Sequence, residues 1–278
     1  MASPQPAILA SWPRRRAQSG DAGDCPPMTM PPAAGLPAPP PLSPHRDALF
    51  LDLDGTLAAI RPRPGEVAID PPMRAALRAA SAALSQRVAV VSGRALDDVA
   101  RLVDMPDLCL AGIHGLDRRL ATGELRRATP SAGLERARAE LAALGRDEPR
   151  LFVEDKGLGI AVHFRLAPDL AAVAERRARE IAGRHGLLLQ PGKMVFEIRD
   201  GGADKGSALR DFMAAPPFAG ARPIFVGDDH TDEAGFAAAA ALGGHGVLVG
   251  EPRATAAAHR LPDLAAVEAW LAAVGDAG

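Results

Sequence analysis

The sequence predicts an α/β fold, a doubly wound parallel sheet interrupted by an inserted α+β cap domain. Three observations predict it. Towards both ends, short apolar runs alternate with stretches of helical spacing, the pattern of parallel strands joined by crossover helices. The middle instead repeats the order helix, strand, strand, which suits a small antiparallel sheet with two helices. Acidic, hydroxyl and glycine residues stand where the apolar runs stop, and open parallel sheets bind ligands at the carboxyl ends of their strands.

In chain order, residues 1–45 are rich in Pro, Ala and Ser without periodicity and predict a disordered extension; Arg14-Arg15-Arg16 within it reads as a solvated charge run. Residues 46–117 and 201–278 are expected to form the core, and 118–200 the cap. Ala48 to Leu53 is an apolar strand ending in acids. Pro71 to Ser85 carries Met73, Leu77 and Leu84 at helical spacing. Val88 to Val91 is a second strand, Asp97 to Val103 a helix, and Leu108 to Ile113 a third strand.

The cap begins with a helix over Ser131 to Leu144. Strands follow at Leu151 to Asp155 and Leu158 to Arg165, around Lys156-Gly157. A second helix, Pro168 to Arg184, precedes strands at Leu187 to Gln190 and Met194 to Arg199. The core then resumes with a helix from Lys205 to Ala215, a strand from Pro223 to Val226, and a helix from Thr231 to Ala241. A strand from Val247 to Val249 and a helix from Leu264 to Val274 close it.

Composition narrows the function. Hydrophobic residues make up 47% and aromatics 4%, with no Tyr, so Leu, Val, Ile and Ala must fill the core. The formal net charge of −2 gives no electrostatic footing for nucleic acid or an anionic membrane. No apolar run reaches the roughly 20 residues of a membrane span. Cys25 lies in the Pro-rich stretch and Cys109 in an apolar run, so no disulfide framework or zinc site is expected, and a cytoplasmic location is.

Three motifs and one lysine carry chemistry. Asp52-Leu53-Asp54-Gly55-Thr56 sets two carboxylates behind a strand, one able to attack and one to handle a proton; alone it also reads as an acidic turn. Ser92-Gly93-Arg94 offers a hydroxyl and backbone N–H groups to a phosphate, or a simple helix cap. Gly227-Asp228-Asp229-His230-Thr231-Asp232-Glu233 supplies hard oxygen ligands that suit Mg²⁺, or an acidic helix start. Lys205 opens a helix, and its interest depends on the other three.

In this order the four motifs resemble the phosphatase branch of the haloacid dehalogenase superfamily, whose core is Rossmann-like. A narrower resemblance is to the trehalose-6-phosphate phosphatases. It runs from about Asp47 to the end, on Val91-Ser92-Gly93-Arg94, Gly112-Ile113-His114-Gly115, Glu154-Asp155-Lys156-Gly157, Ala161-Val162-His163-Phe164-Arg165, and Gly192-Lys193 ahead of Glu197.

That resemblance implies Asp52 as nucleophile, Asp54 as general acid and base, and Lys205 with Ser92 and the Gly93 N–H around the phosphoryl group. It implies Mg²⁺ held by the carboxylates of Asp52 and Asp228 and the backbone carbonyl of Leu53, with the Leu53–Asp54 stretch as the ligand region. Glu154, Lys156, Lys193 and Glu197 would grip the disaccharide, with Arg94 and His114 as further substrate contacts. His163 and Arg165 alternate with apolar residues and are read as either solvent-facing or part of the site. The implied substrate is trehalose 6-phosphate, with a functional pairing to a trehalose-phosphate synthase. Two alternatives remain at this stage: a phosphatase of another sugar phosphate, such as sucrose phosphate or mannosyl-phosphoglycerate, and a non-catalytic phosphosugar-binding subunit.

Overall fold

The computed structural model describes residues 35–274. Its first half lays down β1 (Asp47–Leu51), α1 (Pro71–Ala83), β2 (Val88–Val91), α2 (Leu96–Val103), β3 (Cys109–Gly112), β4 (Asp117–Arg119) and β5 (Leu125–Arg126). The middle contributes α3 (Ala132–Asp147), β6 (Phe152–Asp155), β7 (Gly159–His163), α4 (Ala171–His185), β8 (Leu188–Gly192) and β9 (Val195–Arg199). The last part adds α5 (Lys205–Met213), β10 (Arg222–Gly227), α6 (Glu233–Ala241), β11 (His245–Val249), β12 (His259–Leu261) and α7 (Leu264–Ala272).

The large sheet has the order β12-β11-β10-β1-β2-β3-β4-β5, parallel from β12 to β3. The chain leaves β1 towards β2 and β3, and later returns on the other flank as β10, β11 and β12. The order therefore reverses between β1 and β10, and the crevice beyond their carboxyl ends is the expected ligand position. Asp52 follows β1 directly, and Asp228 follows β10.

The central strands read as unbroken apolar runs because both sheet faces are covered. Leu49, Leu51, Val88, Val90 and Val226 pack under α1, α2 and α7. Phe50, Ala89, Val91 and Phe225 turn to α5 and α6. There the rings of Phe50, Phe212 and Phe218 cluster, with centroids 5.3–6.2 Å apart. Helices α5 and α6 approach closely over Gly206, where a β-carbon would come within 2.3 Å of the Ala234 carbonyl.

The small sheet, β6-β7-β9-β8, is antiparallel throughout. Ile160, Val162, Phe196 and Ile198 face α3 and α4. By the two-residue period, Glu154, His163, Gln190, Glu197 and Arg199 occupy the opposite face, which looks onto the core.

Four features depart from the sequence expectations. Disorder is expected through residue 45, and its last ten residues differ. Residues 36–45 are ordered, with Leu42 buried in the core and the Pro37 and Pro40 carbonyls accepting from Arg260 N (3.0 Å) and Trp270 Nε1 (2.9 Å). Prolines cannot donate, so such a segment docks through carbonyls and shows no periodicity. Residues 1–34 lie outside the described part.

Secondly, β4 and β5 extend the large sheet as an antiparallel hairpin, so residues 117–126 do not belong to the small one. Their Arg-rich edge position hides the apolar signature of a strand. Thirdly, β12 was not anticipated, being three residues with two of them polar. Lastly, the helix expected from Thr231 opens as a 3₁₀ turn, His230–Asp232, before α6.

Candidate active site

Asp52 leaves β1 with its N–H still donated to the Val226 carbonyl (2.9 Å), which ties it to β10. Its carboxylate is buried and faces Lys205, the first residue of α5. Lys205 Nζ bonds Asp52 Oδ1 (2.7 Å) and Asp232 Oδ1 (2.6 Å). The helix start is fixed by a capping box in which the Asp204 side chain and Ser207 bond each other's backbone N–H. Burial opposes charge on Lys205, but Asp232 and Asp52 more than offset it and raise its pKa.

Asp52, Asp228 and Asp232 each bring a carboxylate oxygen into one group, all within 4.8 Å of one another. Gly55 makes room for this: it has φ of +89°, and a β-carbon there would strike Asp228 Oδ2 at 2.2 Å. Gly227 does the same for Asp232, whose Oδ2 accepts from Asp229 N (2.9 Å). Burial, Asp232 and Asp228 push Asp52 up against the pull of Lys205. Burial and Asp232 push Asp228 up to about 7. Lys205 is shared by Asp52 and Asp232, Lys193 approaches Asp228 only at 3.5 Å, and Asp228 Oδ1 is buried without a partner. That surplus of hard oxygen fits a divalent cation.

The Leu53 carbonyl is not available to such an ion. It accepts from Leu57 N and Ala58 N, both at 2.9 Å, and from Thr56 N. No protein N–H among the described residues is directed at the Asp54 carbonyl, so the Leu53–Asp54 stretch offers an oxygen at Asp54 and not at Leu53.

Ser92 does not cap α2, which begins after Ala95 without a side-chain cap. Its hydroxyl accepts from Arg94 N (3.2 Å) beside the cavity. Arg94 is not free for substrate. Its guanidinium forks onto Asp54 at 2.6 and 2.8 Å and onto the Pro64 carbonyl at 3.1 Å. The fork holds the Asp54 carboxylate at the mouth of the site.

The cap closes the other side. Lys156 Nζ bonds the Gly93 carbonyl (2.9 Å) and Glu197 Oε2 (3.0 Å), linking cap to core. Burial alone would raise the Glu197 pKa, but the Lys156 ammonium beside it draws it down, and the carboxyl ends well below its ordinary range. Glu154 Oε2 pairs with His163 Nε2 (2.9 Å). Lys193, at the tip of the β8–β9 hairpin, reaches Asp228 Oδ2 at 3.5 Å.

One open cleft between sheet and cap is lined by Asp52, Asp54, Ser92, His114, Glu154, Lys156, Lys193, Glu197, Lys205 and Asp228. Sequence reasoning left His163 and Arg165 undecided and passed over Gln190, while Asp232 belongs to the acidic motif that follows β10. Strand register was the signal that could have found His163 and Gln190: His163 pairs opposite Phe152, and Gln190 opposite Glu197, on the face shared with Glu154. Among the described residues, no helix is long and apolar enough to cross a membrane.

Comparison with known proteins agrees with this geometry. The sequence profile described as trehalose-phosphatase matches residues 50–256. A probable trehalose-phosphate phosphatase of Sinorhizobium fredii is 40% identical over 230 residues, covering 82% of this chain and 87% of the relative. The trehalose-6-phosphate phosphatase of Escherichia coli is 36% identical over 228 residues, covering 81% and 85%. The C-terminal domain of a C. albicans trehalose-6-phosphate phosphatase superposes with a TM-score of 0.74 at 19% identity, covering 87% and 98%, a likeness of fold alone.

Proposed function

The chain belongs to the trehalose-phosphatase family, and from that premise we propose that it hydrolyses trehalose 6-phosphate to trehalose and phosphate through an aspartyl-phosphate on Asp52. One observation carries the reading. The buried Asp52–Lys205 pair of the core and the Glu154, Lys156 and Glu197 side chains of the cap open into the same cleft.

In the first step a carboxylate oxygen of Asp52 attacks phosphorus, and the bond from phosphorus to the sugar oxygen breaks. Asp54 delivers a proton to that oxygen, so trehalose leaves neutral. In the second step Asp54 takes a proton from water, the water oxygen attacks phosphorus, and the Asp52–phosphorus bond breaks. Asp52 is then a carboxylate again and Asp54 a carboxylic acid again, as each was at the start. Lys205 and Ser92 hold phosphoryl oxygens during both steps.

Mg²⁺ fits the Asp52 and Asp228 carboxylates with the Asp54 carbonyl, and when bound it supplies positive charge that shields the phosphoryl group. Asp232 holds Lys205 in place. Glu154, Lys156 and Glu197 receive the sugar hydroxyls, and the cap keeps bulk water from the phosphoryl group.

Phosphate release from a panel of sugar phosphates with Mg²⁺ tests the substrate. Trehalose 6-phosphate is expected to give the highest kcat/KM. Equal or faster release from sucrose 6-phosphate or mannosyl-phosphoglycerate would overturn the specificity.

A further inference from the structure

His114 is a core residue at the junction with the cap, buried, with a left-handed backbone of φ 56°. Its Nε2 lies over the Cα of Gly93, where a β-carbon would meet it at 2.7 Å. Two cap side chains converge on that nitrogen, Glu197 Oε2 at 3.4 Å and Gln190 Nε2 at 3.5 Å. One nitrogen cannot serve both. Towards a carboxylate it would donate a proton, and towards an amide NH₂ it must accept one.

Arg199 settles which way the amide faces. A guanidinium has donors only. Two of its nitrogens rest on Gln190 Oε1, at 3.0 and 2.7 Å. Flipping the amide would turn its NH₂ onto a buried cation, so the NH₂ points at His114. Arg199 is itself fixed, 2% exposed and bonded to the Asp200 carbonyl at 3.1 Å. Glu197 meanwhile has its own cation in Lys156.

We propose that Arg199 and Gln190 form a positioning pair that keeps Nε2 of His114 unprotonated, so that the imidazole accepts from Gln190 beside Gly93 and leaves the Glu197 carboxylate to the cleft. The charged groups that bear on the ring are Glu197, Lys156 and Lys205. Burial lowers its pKa more than Glu197 raises it, and the two lysines act with burial, which keeps the ring neutral. Glu197, whose Oε1 is buried without a partner, then keeps an acceptor open to the cleft, an arrangement that favours a polyol hydroxyl and disfavours a bare anion. The kinetic consequence rests on the sugar-phosphate reading of the cleft. The location of the proton does not.

Heteronuclear NMR correlation of the imidazole nitrogens, on the full chain without substrate, tests the pair. In the wild type, Nε2 of His114 is expected to be pyridine-like and Nδ1 pyrrole-like at neutral pH. Gln190→Leu removes the donor and lets Nε2 take the proton towards Glu197. Gln190→Glu keeps the bond to Arg199 but sets an oxygen before Nε2, which then carries a proton. In Gln190→Leu the KM for trehalose 6-phosphate is expected to rise about two- to tenfold, the span of one neutral hydrogen bond, with kcat within about twofold. A protonated Nε2 in the wild type, or an Nε2 that stays proton-free in Gln190→Glu, overturns the proposal. The expected nitrogen pattern in a wild type that fails to hydrolyse trehalose 6-phosphate supports the pair and removes the substrate reading alone.

Discussion

Lys205 Nζ stands 2.7 Å from Asp52 Oδ1, and both side chains are almost wholly buried. The pair joins the end of β1 to the start of α5 across 153 positions of sequence. Its removal leaves the Asp52 and Asp232 carboxylates without their ammonium. Lys205→Met is therefore expected to cost about 3–5 kcal/mol of stability in urea unfolding without added metal. Turnover should fall by at least about 10²-fold. A stability loss below about 1 kcal/mol would show the pair to be energetically idle.

Asp52→Asn keeps the shape and removes the attacking oxygen's charge. Phosphate release is expected to drop by about 10³-fold or more, while trehalose 6-phosphate still raises the melting temperature. Turnover near the wild-type rate would remove Asp52 from the chemistry.

The acidic group should bind its cation independently of catalysis. Mg²⁺ at a hundredfold excess over Kd is expected to stabilise the fold by about 2.7 kcal/mol, and a chelator should reverse this. Asp228→Asn should lose most of the gain. Equal stabilisation of wild type and variant would place the ion elsewhere.

His245 gives a pH dependence remote from the site. Burial, then His259 and Arg222, lower its pKa from 6.5 to about 4, and its Nε2 is buried without a partner. The unfolded chain therefore takes up this proton before the folded one. The stability tied to the neutral ring is complete above about pH 6.5 and declines as pH falls towards about 4. His245→Asn should flatten that part of the stability curve, as read from urea midpoints at a series of pH values.

Leu42 tests the docked proline-rich segment. It is 4% exposed within the core cluster. Leu42→Ala is expected to cost about 2–5 kcal/mol, whereas an unpacked segment would tolerate it with no shift in midpoint.

The alternation of strand and helix was legible because the large sheet is covered on both faces. Phe50 and Leu51 are both fully buried, so β1 reads as one apolar run. Short edge elements were not legible. Arg118 and Arg119 in β4 and His259 in β12 carry no apolar period, and only pairing to a neighbour makes them strands. At the site, Asp52, Lys205 and Asp228 were visible as motifs because each follows a strand or opens a helix. Arg94 was visible as a residue but not in its partner, since the fork onto Asp54 spans 40 positions. The Leu53 carbonyl failed as a candidate ligand for a similar reason. The tight turn that consumes it depends on Leu57 and Ala58 folding back, which no side-chain pattern encodes. Gln190 was hidden because its position depends on the register of β8 against β9.

The segment before α3 and the segment after β9 meet where Ser131 N donates to Asp200 Oδ2 at 2.9 Å. The cap therefore enters and leaves the body of the protein through a single doorway. Such a doorway makes the two parts separable in evolution and in the laboratory. Everything between can be exchanged for another module, or bridged by a short turn, without cutting a strand of the large sheet. On the proposed reading, phosphoryl transfer and the choice of leaving group then draw on different pieces of one chain.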